Sequence, residues 1–234
     1  MKTNTYPYRI RRGFTLMELL VVITIIVTLA GVATPQIAKH LKTKDRVVAM
    51  NNARQLGFGL REFEEEYGSL PDRETAAAVV ERTDSKLSLT GDTANDYFRQ
   101  MIAAGIVKSE DPFWAPTATS KRRPDNVIDG TDALRPGEVG FGYILNGNTA
   151  MPTDNPNRYV AVTPVTNAGK GEFDSHTYLE KALALAMDGS VTLLDIRPET
   201  GKVQVAKGKT LLDTGEGTRW GTTIRPVIKA PKTK

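Results

Sequence analysis

The sequence predicts an α+β fold in which one long N-terminal α-helix packs on a C-terminal antiparallel β-sheet domain. Residues 14–33 form an apolar run, and apolar residues then recur at helical spacing as far as Tyr67. Late in the chain, the dipeptide Asp188-Gly189 separates two apolar stretches. Asp and Gly tolerate positive φ, so this dipeptide is typical of the tight turn of a β-hairpin.

The composition excludes several classes of protein. The 234 residues suit one moderate domain with appendages. The absence of cysteine excludes disulfides, zinc–thiolate sites and thiol nucleophiles. The net charge is +4, but Lys2, Arg9, Arg11 and Arg12 lie in the first thirteen residues, which hold no acid. The rest of the chain is neutral overall, so we expect no nucleic-acid partner.

The apolar run from Phe14 to Ala33 is long enough to cross a membrane. About 20 predominantly apolar residues span the hydrocarbon core of a bilayer. In lipid a single segment must satisfy its own backbone hydrogen bonds, which a helix does. Arg9, Arg11 and Arg12 come directly before the run. By the positive-inside rule, this end stays in the cytoplasm and the rest of the chain lies across the membrane.

Glu18 is an unexpected residue for a plain membrane anchor. An acidic side chain at the centre of a membrane helix costs roughly 2.5 to 3.5 kcal/mol, so Glu18 is expected to have a partner. If the chain were cut after Gly13, Phe14 would carry a new α-amino group about one turn from Glu18. The amine and the carboxylate could then neutralise each other, within one chain or between adjacent chains.

The string Gly13-Phe14-Thr15-Leu16-Met17-Glu18, followed by the apolar run and Pro35, resembles the prepilin cleavage and methylation motif. This motif marks type IV pilins and type II secretion pseudopilins. The resemblance implies that a prepilin peptidase cuts after Gly13 and methylates Phe14. It also implies that Glu18 meets the N-terminal amine of a neighbouring subunit.

The resemblance implies a function in assembly rather than catalysis. The expected protein is a structural subunit of a type II secretion pseudopilus, and the alternative is a type IV pilus subunit for adhesion or motility. Many pilins staple their C-terminal region with a disulfide, so the lack of cysteine favours the pseudopilus. The implied partners are prepilin peptidase, copies of this chain with other pilins or pseudopilins, an inner-membrane assembly platform and membrane lipid.

The implied location is the bacterial inner membrane, with a cytoplasmic N-terminus and a periplasmic head, and then a periplasmic or cell-surface filament. Three other interpretations of the N-terminus remain. A signal peptidase could cut after Ala33, although Glu18 inside the apolar region argues against it. Arg11-Arg12 resembles a twin-arginine export signal. A plain anchor, on a membrane-tethered periplasmic protein of unknown activity, leaves Glu18 unexplained. N-terminal sequencing of the mature chain distinguishes these interpretations.

The expected domains follow from these features. Residues 1–13 form a cytoplasmic leader, and residues 14–35 a transmembrane helix that becomes the filament core. Pro35 should kink this helix because it lacks an amide donor. Residues 36–68 continue the helix with an amphipathic pattern, ending at Gly68 as a C-cap. Residues 69–234 form a globular, pilin-like periplasmic head. The apolar positions of the continuation are Ile37, Leu41, Val48, Leu56, Leu60, Phe63 and Tyr67.

Local patterns predict the elements of the head. They indicate helices at 73–82 and 93–104, a long surface loop at 116–138, strands at 140–147 and 158–165, a hairpin around Asp188-Gly189, a second hairpin at 203–212 and a frayed end from Pro226.

The sequence offers little chemistry. His40 and His176 are the only histidines and lack metal-ligand spacing. The glycine-containing stretches lack phosphate-loop and dinucleotide-binding spacing. We therefore predict no catalytic residue, cofactor or metal site. His176 followed by the Asp-Gly hairpin resembles a pattern of planctomycete and verrucomicrobial prepilin-like proteins, at wider spacing.

A calcium site is an open alternative. Major pseudopilins of type II secretion hold a calcium ion in a loop of the C-terminal sheet domain. Asp125, Asp129 and Asp132 supply oxygen donors in a flexible loop of this chain, but they do not match an EF-hand.

Overall fold

The computed structural model describes residues 14–128, 132–206 and 208–233. The chain divides into two compact units, residues 1–41 and 42–234. One helix, α1 (Leu16–Tyr67), contains residues of both units. An antiparallel sheet domain follows it, which confirms the predicted α+β class. The leader 1–13, with Gly13, lies outside the described residues.

The second unit begins with the part of α1 that carries a buried face. Its buried side chains recur every three or four residues, which places them on one side of the helix. The predicted positions Ile37 and Leu41 are exposed, and the buried face begins only at Ala49. Gly68 takes a φ of +76° directly after the helix, as expected for a glycine cap. The buried positions are Ala49, Ala53, Leu56, Leu60 and Phe63.

Two short helices follow, α2 (Arg73–Thr83) and α3 (Ala94–Ala103), close to the predicted bounds. Asp72 caps α2, because its Oδ1 accepts hydrogen bonds from the amides of Glu74 and Thr75, both at 2.9 Å. A buried glutamine joins the two helices. Gln100 Nε2 donates to the Asp72 carbonyl at 2.7 Å, and Thr75 Oγ1 donates to Gln100 Oε1 at 2.7 Å. A 3₁₀ turn at Asp111–Phe113 comes next.

The described residues form nine strands. Seven make one antiparallel sheet in the order β8-β7-β6-β5-β2-β1-β9, and β3 pairs with β4 separately. The strands are β1 (Gly142–Asn146), β2 (Tyr159–Thr163), β3 (Val165–Asn167), β4 (Glu172–Phe173), β5 (Lys181–Ala186), β6 (Val191–Ile196), β7 (Val203–Ala206), β8 (Lys209–Thr210) and β9 (Pro226–Lys229).

Both predicted hairpins are confirmed. Strands β5 and β6 pair with Leu183 opposite Leu193, and Gly189 in their turn has a φ of +83°. Strands β7 and β8 form the second hairpin. The central strand β2 is buried along its whole length, so the core covers both faces of the sheet there.

The prediction of a frayed end from Pro226 is wrong. These residues form β9, the edge strand beside β1, with Ile144 opposite Ile228. The Ile228 side chain is buried, and the backbone continues to bond beyond the strand: the Ala94 amide donates to the Ala230 carbonyl at 2.9 Å. Buried apolar area and paired backbone groups therefore hold a segment whose composition indicated a solvated tail.

The predicted surface loop at 116–138 is wrong in its second half. Ala133, Leu134 and Glu138 are completely buried. Its described residues, 116–128 and 132–138, form no regular secondary structure, and the second stretch carries these buried side chains before β1 begins.

Two glycines let α1 approach the rest of its unit closely. A Cβ on Gly57 would lie 3.1 Å from Leu185 Cδ1, and one on Gly59 would lie 2.7 Å from Val107 Cγ2. The first contact places α1 over β5. Aromatic side chains pack α3 against β1, where the ring centroids of Tyr143 and Phe98 lie 5.3 Å apart.

Candidate assembly site

The two predicted assembly residues lie at the start of α1. Phe14 is exposed and precedes the helix, and Glu18 lies in its first turn. Glu18 Oε2 accepts hydrogen bonds from the Thr15 amide at 2.9 Å and from Thr15 Oγ1 at 2.8 Å. The Glu18 amide in turn donates to Thr15 Oγ1 at 3.2 Å. Glu18 therefore has a partner inside its own chain.

This arrangement is a capping box, in which Thr15 is the N-cap and Glu18 the third helical residue. The pair satisfies amides at the start of α1 that have no partner within the helix. The pattern Thr-x-x-Glu ahead of an apolar run is readable from the sequence alone, although the resemblance implies only the N-terminal amine as a partner of Glu18. The two roles involve the same carboxylate.

Apart from Glu18 and the threonines, the stretch of α1 from Leu16 to Ala30 presents apolar side chains on every side. Among the described residues, α1 is the one helix that is long and apolar enough to cross a membrane. Its threonine hydroxyls bond within the helix: Thr24 Oγ1 donates to the Leu20 carbonyl at 2.8 Å and Thr34 Oγ1 to the Ala30 carbonyl at 2.7 Å. These residues expose apolar surface and satisfy their polar atoms locally, as a helix in lipid or in a helix bundle requires. The large exposed side chains are Leu16, Met17, Leu19, Leu20, Val21, Val22, Ile23, Ile25, Ile26, Val27 and Leu29.

Residues 31–35 remain within the helix, including the backbone of Pro35. The kink at Pro35 stays a prediction. The cleavage residue Gly13 lies outside the described residues, so its part in processing also stays a prediction.

Neither histidine belongs to the capping box of Thr15 and Glu18. His40 is exposed on α1. His176 is exposed between β4 and β5, where its amide donates to Asp174 Oδ1 at 2.8 Å. The other oxygen of Asp174 accepts from Thr177 Oγ1 at 2.5 Å. The Asp174 carboxylate thus orders the local turn through its two neighbours.

Two of the three aspartates of the predicted calcium alternative converge on an arginine. Arg135 Nη1 donates to Asp125 Oδ2 at 2.6 Å, and Arg135 Nη2 donates to Asp132 Oδ2 at 3.1 Å. Asp129 lies outside the described residues. Asp125 and Asp132 therefore neutralise a side chain of the same loop.

Comparison with protein-family models gives one match, the prokaryotic N-terminal methylation motif, over residues 8–34. These residues include the Gly13-Phe14 pair, the capping box and the exposed apolar turns of α1. No curated protein and no solved structure matches the chain.

Proposed function

Because the chain carries the prepilin-type signature of the type IV pilin and pseudopilin family, we propose that it is a structural subunit of a type II secretion pseudopilus. The motif itself implies processing by prepilin peptidase and assembly with pilin-type subunits. With one apolar N-terminal helix, it fits a membrane-anchored pilin. The observation that carries the proposal is this motif on a helix whose first turns expose mostly apolar surface and one carboxylate.

In the proposed cycle, the subunit waits in the inner membrane with its leader in the cytoplasm and its head in the periplasm. The positive-inside rule is not sufficient for this orientation, because Lys39, Lys42, Lys44 and Arg46 flank the other end of the apolar stretch. The orientation therefore rests also on cleavage at Gly13 from the cytoplasmic side. After cleavage, the exposed apolar turns of neighbouring subunits pack together and supply most of the cohesion.

Glu18 has two roles in this proposal. In each chain it caps α1 through Thr15, and in the filament it accepts the methylated amine of Phe14 from a neighbour. Pairing with that amine removes the cost of burying an unpaired carboxylate among apolar helices. Subunits out of register would leave the charge buried and unpaired, so the pairing selects the correct register.

Two variants of Glu18 separate these roles. Glutamine serves as the third residue of a capping box as glutamate does, so Glu18→Gln keeps the cap and removes only the charge. Glu18→Ala removes both. In a deletion strain of the native bacterium complemented with each variant, we expect both subunits to be cleaved and inserted, and both to be depleted from filaments. Normal assembly of Glu18→Gln, with failure of Glu18→Ala, would show that the cap alone matters.

A second experiment separates the pseudopilus from the type IV pilus. Deletion of the gene should stop export of secreted proteins and leave surface fibres and surface motility intact. Loss of fibres or motility with normal export would instead assign the subunit to a pilus. Mass spectrometry of the mature chain tests processing, because it should begin at Phe14 and carry one methyl group.

A further inference from the structure

Phe58 is an aromatic side chain on the outer side of α1. It is 69% exposed, the largest exposed fraction among the large apolar side chains described in residues 42–234. Leu56 and Leu60, two positions before and after it, are buried, so the helical turn directs Phe58 away from the core of its own chain. A single exposed apolar side chain is ordinary on a protein surface. The charges on either side of Phe58 are what distinguish it.

Phe58 lies midway between two opposite charges. Arg54 is four residues before it and Glu62 is four residues after it, and both are exposed. Residues at i, i+4 and i+8 form one row on the surface of a helix. The row Arg54-Phe58-Glu62, the α1 row, is about 12 Å long at a rise of 1.5 Å per residue. It is positive at its first end, apolar in the middle and negative at its second end.

An apolar groove, the α2 groove, is lined by α2 and by the segment that follows it. Ala76, Ala77 and Val80 come from the helix, and Leu87 and Leu89 come from the segment. The groove has a volume of about 650 Å³. Leu87 and Leu89 are buried, whereas Ala77 and Val80 are exposed. The groove therefore has an apolar floor and is open to a side chain from outside.

The charges at the ends of the α2 groove match those beside Phe58. Arg73 and Glu81 lie four residues before and after Ala77, and both contribute to the lining of the groove. Arg73-Ala77-Glu81, the α2 row, thus has the spacing and the charge order of the α1 row. Arg73 lies 3.4 Å from Asp92, but 60% of its side chain is exposed, so it is also accessible to a partner from outside.

We propose that the α2 groove of one chain receives Phe58 of a second copy of the chain, with the two rows running in opposite directions. Arg54 then faces Glu81, and Glu62 faces Arg73. Rows of this spacing run alongside each other in the commonest class of helix packing, so one contact aligns all three positions. Rows in the same direction would place Arg54 beside Arg73 and Glu62 beside Glu81, and such like-charge contacts disfavour that arrangement.

This contact suits an open filament. Phe58 and the α2 groove are different surfaces of the chain, so each copy provides one aromatic side chain and receives another. A heterologous contact of this kind generates an open helical array when its rotation does not close into a ring. The inference rests on the proposed function only in requiring that copies of this chain assemble with one another, and it applies equally to a pseudopilus and a pilus.

Crosslinking of engineered cysteines tests the contact, because the chain has no cysteine of its own. Arg54→Cys and Glu81→Cys are placed in separate chains with different affinity tags, so that Phe58 stays in both. The two chains are expressed together in a deletion strain of the native bacterium, and the filaments are treated with a short bismaleimide. We expect a linked pair that carries both tags.

The matched control pairs Arg54→Cys with Arg73→Cys, at the other end of the same groove. It should give much less linked product, because the proposed direction places these two positions at opposite ends of the contact. Filaments that link the control pair as well as the first pair, or that link neither, would overturn the proposal. Linking of Glu81→Cys to a different protein in place of the Arg54→Cys chain would also overturn it.

Substitutions test what the contact contributes. Phe58→Ala removes the aromatic anchor and should deplete the subunit from filaments about tenfold. Arg54→Glu should deplete it about as much, because it brings two acids together, and the double variant Arg54→Glu/Glu81→Arg should recover assembly. Val227→Ala, at another exposed apolar side chain outside both rows, is the control and should assemble normally. Since the substituted side chains are exposed, an unfolding temperature close to that of the wild type separates loss of the contact from loss of the fold.

The wild-type chain distinguishes failure of this inference from failure of the proposed function. If the wild type begins at Phe14 and forms filaments, but Phe58→Ala and Arg54→Glu assemble equally well, only the contact is overturned. If the wild type forms no filament, the proposed function is overturned and the contact with it.

Discussion

Lys229 Nζ donates a hydrogen bond to Asp92 Oδ2 across 2.8 Å and so ties the last strand to the turn before α3. The two residues are 137 positions apart in the sequence. Asp92 Oδ1 accepts from Tyr97 Oη at 2.8 Å, which connects the pair to α3. The hydrogen bond from Lys229 lowers the pKa of Asp92 below its usual value of 3.8.

The Asp92 contact predicts a dependence of stability on pH. Since the pKa of Asp92 is lower in the folded chain, its contribution is fully present above the unfolded pKa and is lost as pH falls through the folded pKa. Asp92→Asn should lower the free energy of unfolding by less than about 1 kcal/mol at neutral pH, because the carboxylate is half exposed.

Urea denaturation of both chains between about pH 7 and pH 3 measures this difference. It should shrink as pH falls through the lowered pKa of Asp92 in the folded chain. A difference that stays constant over the whole range would show that Asp92 acts without its charge.

Strand β9 predicts a contrast between two adjacent residues. Ile228 is 4% exposed and Val227 is 37% exposed. Ile228→Ala should lower the free energy of unfolding by about 2 to 4 kcal/mol, because it leaves a cavity in a packed core. Val227→Ala should cost less than about 1 kcal/mol. Equal, small effects in denaturant titrations of the two variants would contradict the packing of β9 against the core.

The close approach of α1 predicts that alanine substitutions at two of its glycines differ in their effect on stability. Alanine is favoured over glycine in a helix by about 1 kcal/mol. At Gly59 the added Cβ would lie 2.7 Å from Val107 Cγ2, so overpacking should outweigh this gain and destabilise the chain by about 1 to 3 kcal/mol. At Gly57 the nearest atom, Leu185 Cδ1, is 3.1 Å away, so Gly57→Ala should be better tolerated. In thermal unfolding, Gly59→Ala should have a lower unfolding temperature than Gly57→Ala. The reverse order would contradict the close packing of α1 at Gly59.

Because Asp72 caps α2, its substitution should lower the stability of the folded chain. Besides capping α2, its Oδ2 accepts from the Ala150 amide at 3.1 Å and so links α2 to the segment after β1. Asp72→Ala should cost about 2 kcal/mol, because it removes a cap and leaves amides without an acceptor. Asp72→Asn keeps one acceptor oxygen and should cost less. If circular dichroism melts place both variants at the wild-type temperature, the cap does not contribute.

The sequence predicted those elements whose signal is local. The periodicity ending at Gly68 and the dipeptide Asp188-Gly189 each specify a conformation within a few residues, and both elements were found. Strand β9 was missed because its partner β1 lies about 80 residues earlier, and a short segment ending in lysines does not show that it has one. The burial of Leu134 in the predicted surface loop was missed for the same reason, because the Leu134 carbonyl contacts Arg99, which lies 35 positions earlier in the chain.

The residues of the candidate assembly site were predictable from the sequence, but their contacts were only partly predictable. Gly13, Phe14 and Glu18 stand out because an acid near the start of an apolar run needs a partner. The cleavage and methylation motif implied that Glu18 pairs with an amine from another chain. In the structure, the Glu18 carboxylate accepts hydrogen bonds from the amide and hydroxyl of Thr15. Glu18 can cap its own helix and also pair with a neighbouring subunit, and the cleavage motif indicated only the second role.

The position of β9 sets the order in which the head can be completed during synthesis. Its partner β1 is made about 80 residues earlier, so the ladder groups of β1 that face β9 wait unpaired until β9 itself has been synthesised. An unpaired strand edge is a template for association with other chains. A nascent head is therefore most vulnerable before β9 has been made, and arrival of β9 pairs the open edge of β1.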